Sequence, residues 1–144
     1  MYDSIKELHS FWAYGVLGLL LIASLNSFVG LSRKKPFTAN DRKIALFALI
    51  FSHVQLLLGL IMLAISPLWA NAAHAEGGIM NDTFRPLLVE HPAINIIALA
   101  LITIGWSKHK KAEGDAAKFK KIAVLYAIGL VLLLSRIPWS NWIG

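Results

Sequence analysis

The chain has 144 residues, 57% of them hydrophobic, and a mean hydropathy of +0.63, which excludes an ordinary soluble domain. It carries no cysteine, which excludes disulfides, thiolate metal sites and iron–sulfur clusters. The formal net charge of +6 would suit nucleic acid, but the cations gather in two short stretches between apolar runs, which points to membrane topology instead.

About 20 consecutive apolar residues read as one membrane span. Four such runs follow in order: Phe11–Leu31, Ile44–Ser66, Pro86–Trp106 and Phe119–Pro138. With their flanks they predict helices over about 8–31, 41–66, 86–106 and 118–138 in one domain, 1–144. The expected fold is all-α, an integral-membrane up-down four-helix bundle with short connections. "SRKKPFTANDRK" is the first turn: Pro36 helps to end the first helix, and Thr38 or Asn40 can cap the second. "SKHKKAEGDAAKFKK" is the second basic turn, with Gly114 as breaker. Lys- and Arg-rich short loops stay cytoplasmic, so both termini and the 67–85 connection are expected on the periplasmic side of a bacterial inner membrane.

The 67–85 connection opens with Pro67 and carries Gly77–Gly78, so an irregular loop is expected there. "NAAHAE" at 71–76 resembles a signal-peptidase site, but two full spans precede it, and it reads as loop. His74 and His109 are expected to be solvated loop residues. Trp12, Trp69, Trp139 and Trp142 fall at the outer boundary and Trp106 at the inner one, as an interfacial aromatic belt.

Ionisable groups at membrane depth are expensive and usually face the bundle interior. The candidates are His9, His53, Glu90, His91 and Arg136. The first and third helices run in the same direction, so His9 and His91 fall at matching depth to within about 3–5 Å. Arg136 reaches the same level from the opposite direction. Adjacent helix axes lie about 8–10 Å apart, so the first and third helices stand on a diagonal too wide for two imidazoles to touch. That gap suits a metal macrocycle between them, such as haem held by axial histidines, with Arg136 paired to its anionic propionates.

The helical stripe from His91 runs through Asn95, Ala98, Ile102 and Gly105, small or polar except Ile102. From His9 it runs through Ala13, Val16, Leu20 and Ala23. Tyr126, Gly129, Leu133 and Arg136 share a face of the last helix. Such small-residue stripes also serve plain helix packing in membranes. His53 lies deeper, near the midplane. It reads either as a hydrogen-bonded histidine beneath the cofactor or, with a tilted helix, as an axial ligand. Pro92 fits a helix beginning near His91. If the helix begins near Pro86, Pro92 instead kinks it and frees the Leu88 carbonyl. Glu90 can hydrogen-bond a neighbour, neutralise Arg85 or Arg136, or face water.

"LHSFWAYGVLGLLLI", "FALIFSHVQLLLGLIML", "EHPAINIIALALITIGWSK" and "LSRIPW", in this order, resemble the small four-helix cytochrome b-like membrane proteins of Bacteroidetes. The order is also similar to one half of haem A synthase, and more loosely to the ascorbate-linked transmembrane b-type cytochromes. The resemblance covers nearly the whole chain, on short apolar motifs. In haem A synthase halves, one histidine begins the first helix, another begins the third, and a Gln-x-x-x-Gly pattern lies between. His9, His91 and Gln55–Gly59 take those places. The family's Glu-x-x-His pattern is absent, since Lys6 and Leu88 stand three residues before the histidines, which removes the ground for its oxygenase activity.

Haem b on His9 and His91 is the cofactor expectation, with Arg136, His53 and Asn95 beside it. Two axial histidines leave no open iron position, which favours an electron carrier over a catalyst. The partners expected are the bilayer and a quinone or a redox subunit. The alternatives are a non-redox accessory or assembly subunit without cofactor, and copper handling through His9, His91 and Met80.

Overall fold

The structure, a computed structural model, describes residues 1–139; Trp142, one of the belt tryptophans, lies outside them. Among the described residues the chain is all-helical. α1 spans Tyr2–Ser32, α2 Ala39–Ile65, α3 Leu68–Ala73, α4 His91–Lys111 and α5 Asp115–Ser135. α1, α2 and the continuous segment Pro86–Lys111 are long and apolar enough to cross a membrane, which marks a membrane-embedded protein in contact with lipid. α5 begins with Lys118, Lys120 and Lys121 before its apolar stretch. α1 packs against α2 and α5, α5 against α4, and α2 more thinly against α4.

The helix ends have local causes. α1 closes in a Schellman turn: the Lys35 N–H donates to the Gly30 carbonyl and the Lys34 N–H to that of Leu31. Lys34 takes the left-handed position, φ 55°, that glycine usually fills. Thr38 caps α2. Its hydroxyl accepts from the Asp41 N–H while the Asp41 carboxylate accepts from the Thr38 N–H, a reciprocal capping box. Gly114, φ 90°, makes the break before α5.

The buried faces follow the 3.6-residue period. α1 buries Val16, Leu20 and Ala23; α4 buries Ala98, Ile102 and Gly105; α5 buries Tyr126, Gly129 and Leu133. Ile102, the large residue in a stripe of small ones, fills the space over Gly129. A Cβ on Gly129 would come within 2.6 Å of it. Tyr126 is fully buried, and its hydroxyl donates to the Ala45 carbonyl at 2.9 Å, which satisfies the one polar atom it takes into the core. Outward faces stay apolar, with Phe11, Leu57 and Val131 all more than half exposed, as lipid solvation allows.

Two sequence expectations need correcting. The 67–85 connection is partly ordered, as α3 and a 3₁₀ turn at Gly78–Met80. His109 is not a solvated loop residue. α4 runs five residues past Trp106, and its last turn carries His109 wholly inside, between the Phe37 and Trp106 rings. Its Nδ1–H donates to the Trp106 carbonyl. The run of lysines around it suggested a loop, but a basic last turn is what a helix C-terminus favours.

Candidate functional site

A cavity of about 470 Å³ lies among α1, α2, α4 and α5 near the ends that carry His9 and His91. Its walls are mostly apolar, from Ala13, Val16, Leu56, Leu60, Leu99 and Leu133. The 66–68 corner after α2 and Leu87, Leu88 and Pro138 close it at the level of the 66–88 connection. Its polar lining includes His9, Gln55, His91 and Asn95, with Ser52 deeper and Lys6 one turn before His9.

His9 and His91 both point into this space. Their ring centres are 6.5 Å apart and their planes nearly perpendicular, at 85°. The rings therefore come closer than the helix diagonal alone predicts, because each side chain reaches inward from its axis.

A local irregularity aims His91. Residues Pro86–Glu90 form a π turn that runs straight into α4. The His91 N–H donates back to the Pro86 carbonyl, five residues earlier. Pro92 has no N–H to give the Leu88 carbonyl, and its ring crowds that oxygen. A widened turn relieves both problems, and it shifts the register of the residues that follow. The helix thus begins near Pro86, the second of the two arrangements open for Pro92.

Hydrogen bonds then fix the His91 imidazole. Its Nδ1–H donates to the Arg136 backbone carbonyl at 2.9 Å, since a carbonyl can only accept. Nε2 is left with its lone pair, which accepts from the Asn95 amide at 3.1 Å. A metal-ligating histidine usually has one nitrogen tied to an acceptor in this way, and a metal at Nε2 would take the place of the Asn95 bond.

His9 is held differently. The Gln55 amide donates to the His9 backbone carbonyl at 2.9 Å. Gly59, one turn further along α2, gives the ring room: a Cβ there would sit 3.1 Å from His9 Cε1. Gln55 and Gly59 thus both serve His9, one through its backbone and one through its ring. His9 Nδ1, Gln55 Oε1 and Asn95 Oδ1 are buried without a partner among the described residues. Three orphaned polar atoms around one cavity are costly unless a ligand or ordered water completes them.

Arg136 and Glu90 stand at the rim. The Arg136 side chain is half exposed, lies 3.8 Å from Glu90 and does not line the cavity. What reaches the site from Arg136 is its backbone carbonyl. Glu90 also accepts from Arg85 at 2.8 Å, so it joins both arginines and ties the start of α4 to the end of α5. His53 is exposed, does not line the cavity, and stands at the α2–α4 seam beside Thr103. Met80 is exposed on the outer connection, and no cluster of three or more metal-binding side chains occurs among the described residues.

The cavity's cation is Lys6, which sequence reasoning passed over because a lysine near a terminus looks like an ordinary solvated charge. Its spacing of three residues from His9 was the available signal. Comparison with known protein families, with curated proteins and with solved structures finds no match.

Proposed function

We propose that this is a b-type haem protein of the bacterial inner membrane, an up-down four-helix bundle with its basic turns cytoplasmic and both termini periplasmic. His9 and His91 are the axial ligands in this reading. The observation that carries it is the facing pair of imidazoles. Two imidazoles on one metal ion, each nitrogen about 2 Å from it, have ring centres about 6 Å apart, and these stand at 6.5 Å. The His91 tautomer, the space over Gly59 and the unpartnered His9 Nδ1 support the same fit.

When bound, the haem supplies one-electron transfer, since two histidines leave no open position on the iron. The chain's own residues do the rest. Arg136 holds the His91 ring through its carbonyl, Gln55 anchors the His9 backbone, and apolar walls keep water away. Lys6, at the cavity edge and without an ion pair among the described residues, is the cation placed to meet the haem carboxylates, ahead of Arg136 with its Glu90 partner. The redox partner in this reading is a quinone or another redox subunit.

The test is spectroscopic. The protein is expressed with ample haem, purified in mild detergent and scanned oxidised and dithionite-reduced. A Soret band with a narrow reduced α-band is expected, and the absence of both sinks the reading. In Gly59→Val, methyl groups would press on the His9 ring, so haem retention should fall at least tenfold with helix content unchanged. In Lys6→Met the spectrum should keep its shape while haem passes to apomyoglobin about two- to fivefold faster, the size of an exposed ion pair.

A further inference from the structure

His53 breaks a rule that His9 and His91 obey. It lies midway along α2, yet its ring is exposed. Ionisable side chains at that depth nearly always face the interior or a cavity. Its hydrogen bonds sharpen the anomaly. The Leu49 carbonyl lies 2.8 Å from Nδ1 and can only accept, so Nδ1 carries the proton and Nε2 the lone pair. Thr103 Oγ1 lies 3.4 Å from Nε2 but only 2.7 Å from the Leu99 carbonyl. The hydroxyl has one proton, and the shorter bond takes it. Nε2 and Oγ1 therefore both present lone pairs at the outer seam between α2 and α4, and hydrocarbon has no donor to offer them.

We propose that His53 and Thr103 form a binding site for the head group of a lipid-soluble hydroquinone. A hydroxyl donor is what two acceptors without a donor require. A flat ring suits the thinly packed seam between α2 and α4, and an apolar tail suits Ile50, Leu57 and Ile104, all exposed. The site selects by oxidation state. A hydroquinone has protons to donate, whereas the oxidised quinone has only carbonyl oxygens, which would face lone pairs. As the electron donor class for the haem centre this rests on the haem reading; as a binding site it does not.

The experiment measures equilibrium binding of a radiolabelled decyl-benzohydroquinone to the full chain in nanodiscs under anaerobic conditions, in parallel with the oxidised quinone. One saturable site per chain is expected, with the reduced form binding about five- to tenfold tighter, the size of one or two hydrogen bonds. His53→Leu, which leaves an apolar residue facing lipid, should remove that preference, and His53→Gln, which keeps an acceptor, should retain part of it. His9→Ala, prepared without haem, should bind as the wild type does. Equal binding of both oxidation states, or unchanged binding in His53→Leu, overturns the site. So does a change in sedimentation from dimer to monomer in His53→Leu without a change in ligand affinity, which would mean that a second copy covers the seam. Loss of the haem spectrum in His9→Ala with hydroquinone binding intact keeps the two readings apart.

Discussion

With haem held as proposed, replacing His9 or His91 by alanine is expected to abolish the low-spin spectrum or convert it to a high-spin one. Each change removes one of the two imidazoles whose ring centres stand 6.5 Å apart, and a single imidazole leaves the iron an open position. The two variants should differ in a second respect. His91→Ala also strands the Arg136 carbonyl and the Asn95 amide, both of which it satisfies. It should therefore lower apoprotein stability, by about 1–3 kcal/mol for the groups left unpaired. The His9 ring makes no hydrogen bond among the described residues, so His9→Ala should cost less. Magnetic circular dichroism and denaturant titration of the same preparations read both effects. His53→Ala should keep the low-spin signal. If it loses haem while His9→Ala keeps it, the ligand pair has been assigned to the wrong residue.

Asp41→Ala is expected to cost about 3 kcal/mol or more of folding stability. Asp41 is only 4% exposed and takes four hydrogen bonds. These come from the Thr38 N–H at 2.8 Å, the Thr38 hydroxyl at 3.0 Å, the Asn26 amide at 2.9 Å and Lys35 at 3.2 Å. Bonds to a charged acceptor are each worth about 1.5–3 kcal/mol, and the Asn26 bond reaches across from α1, so its loss loosens a helix pair as well as a cap. Asp41→Asn keeps an acceptor and should fall between alanine and wild type. Unfolding in mixed micelles, followed by circular dichroism, measures both. A loss below about 1 kcal/mol in the alanine variant would show that water or lipid head groups replace the carboxylate at no cost.

Neither outcome was equally legible beforehand. Thr38 as a cap and Gly114 as a break could be read from residue type, because caps and left-handed backbone are decided within a few residues. The role of Asp41 could not. Its carboxylate looks like any acidic residue in a first helical turn until Asn26, fifteen residues earlier, folds back against it. His109 shows the same limit from the other side. A histidine among lysines reads as solvent-facing, and only Phe37, arriving from the opposite turn, puts it inside.

The candidate site divides along the same line. Hydropathy runs and the 3.6-residue period needed nothing beyond the chain itself. They placed helices long enough to cross a membrane and named the buried stripes through Val16, Ala98 and Tyr126, because solvation by lipid or by neighbouring helices acts on each helix separately. They also put His9 and His91 at one depth, since depth is a count of residues along an axis. What only packing could decide was direction. The π turn before Pro92 sets where His91 points. The arginine's carbonyl, rather than its guanidinium, meets that ring. Gly59 gives His9 its room, and His53 turns outward to the seam with Thr103. The π turn follows from Pro92 itself, but each of the others depends on which atoms of a distant helix lie opposite, and the spacing along one helix does not carry that information.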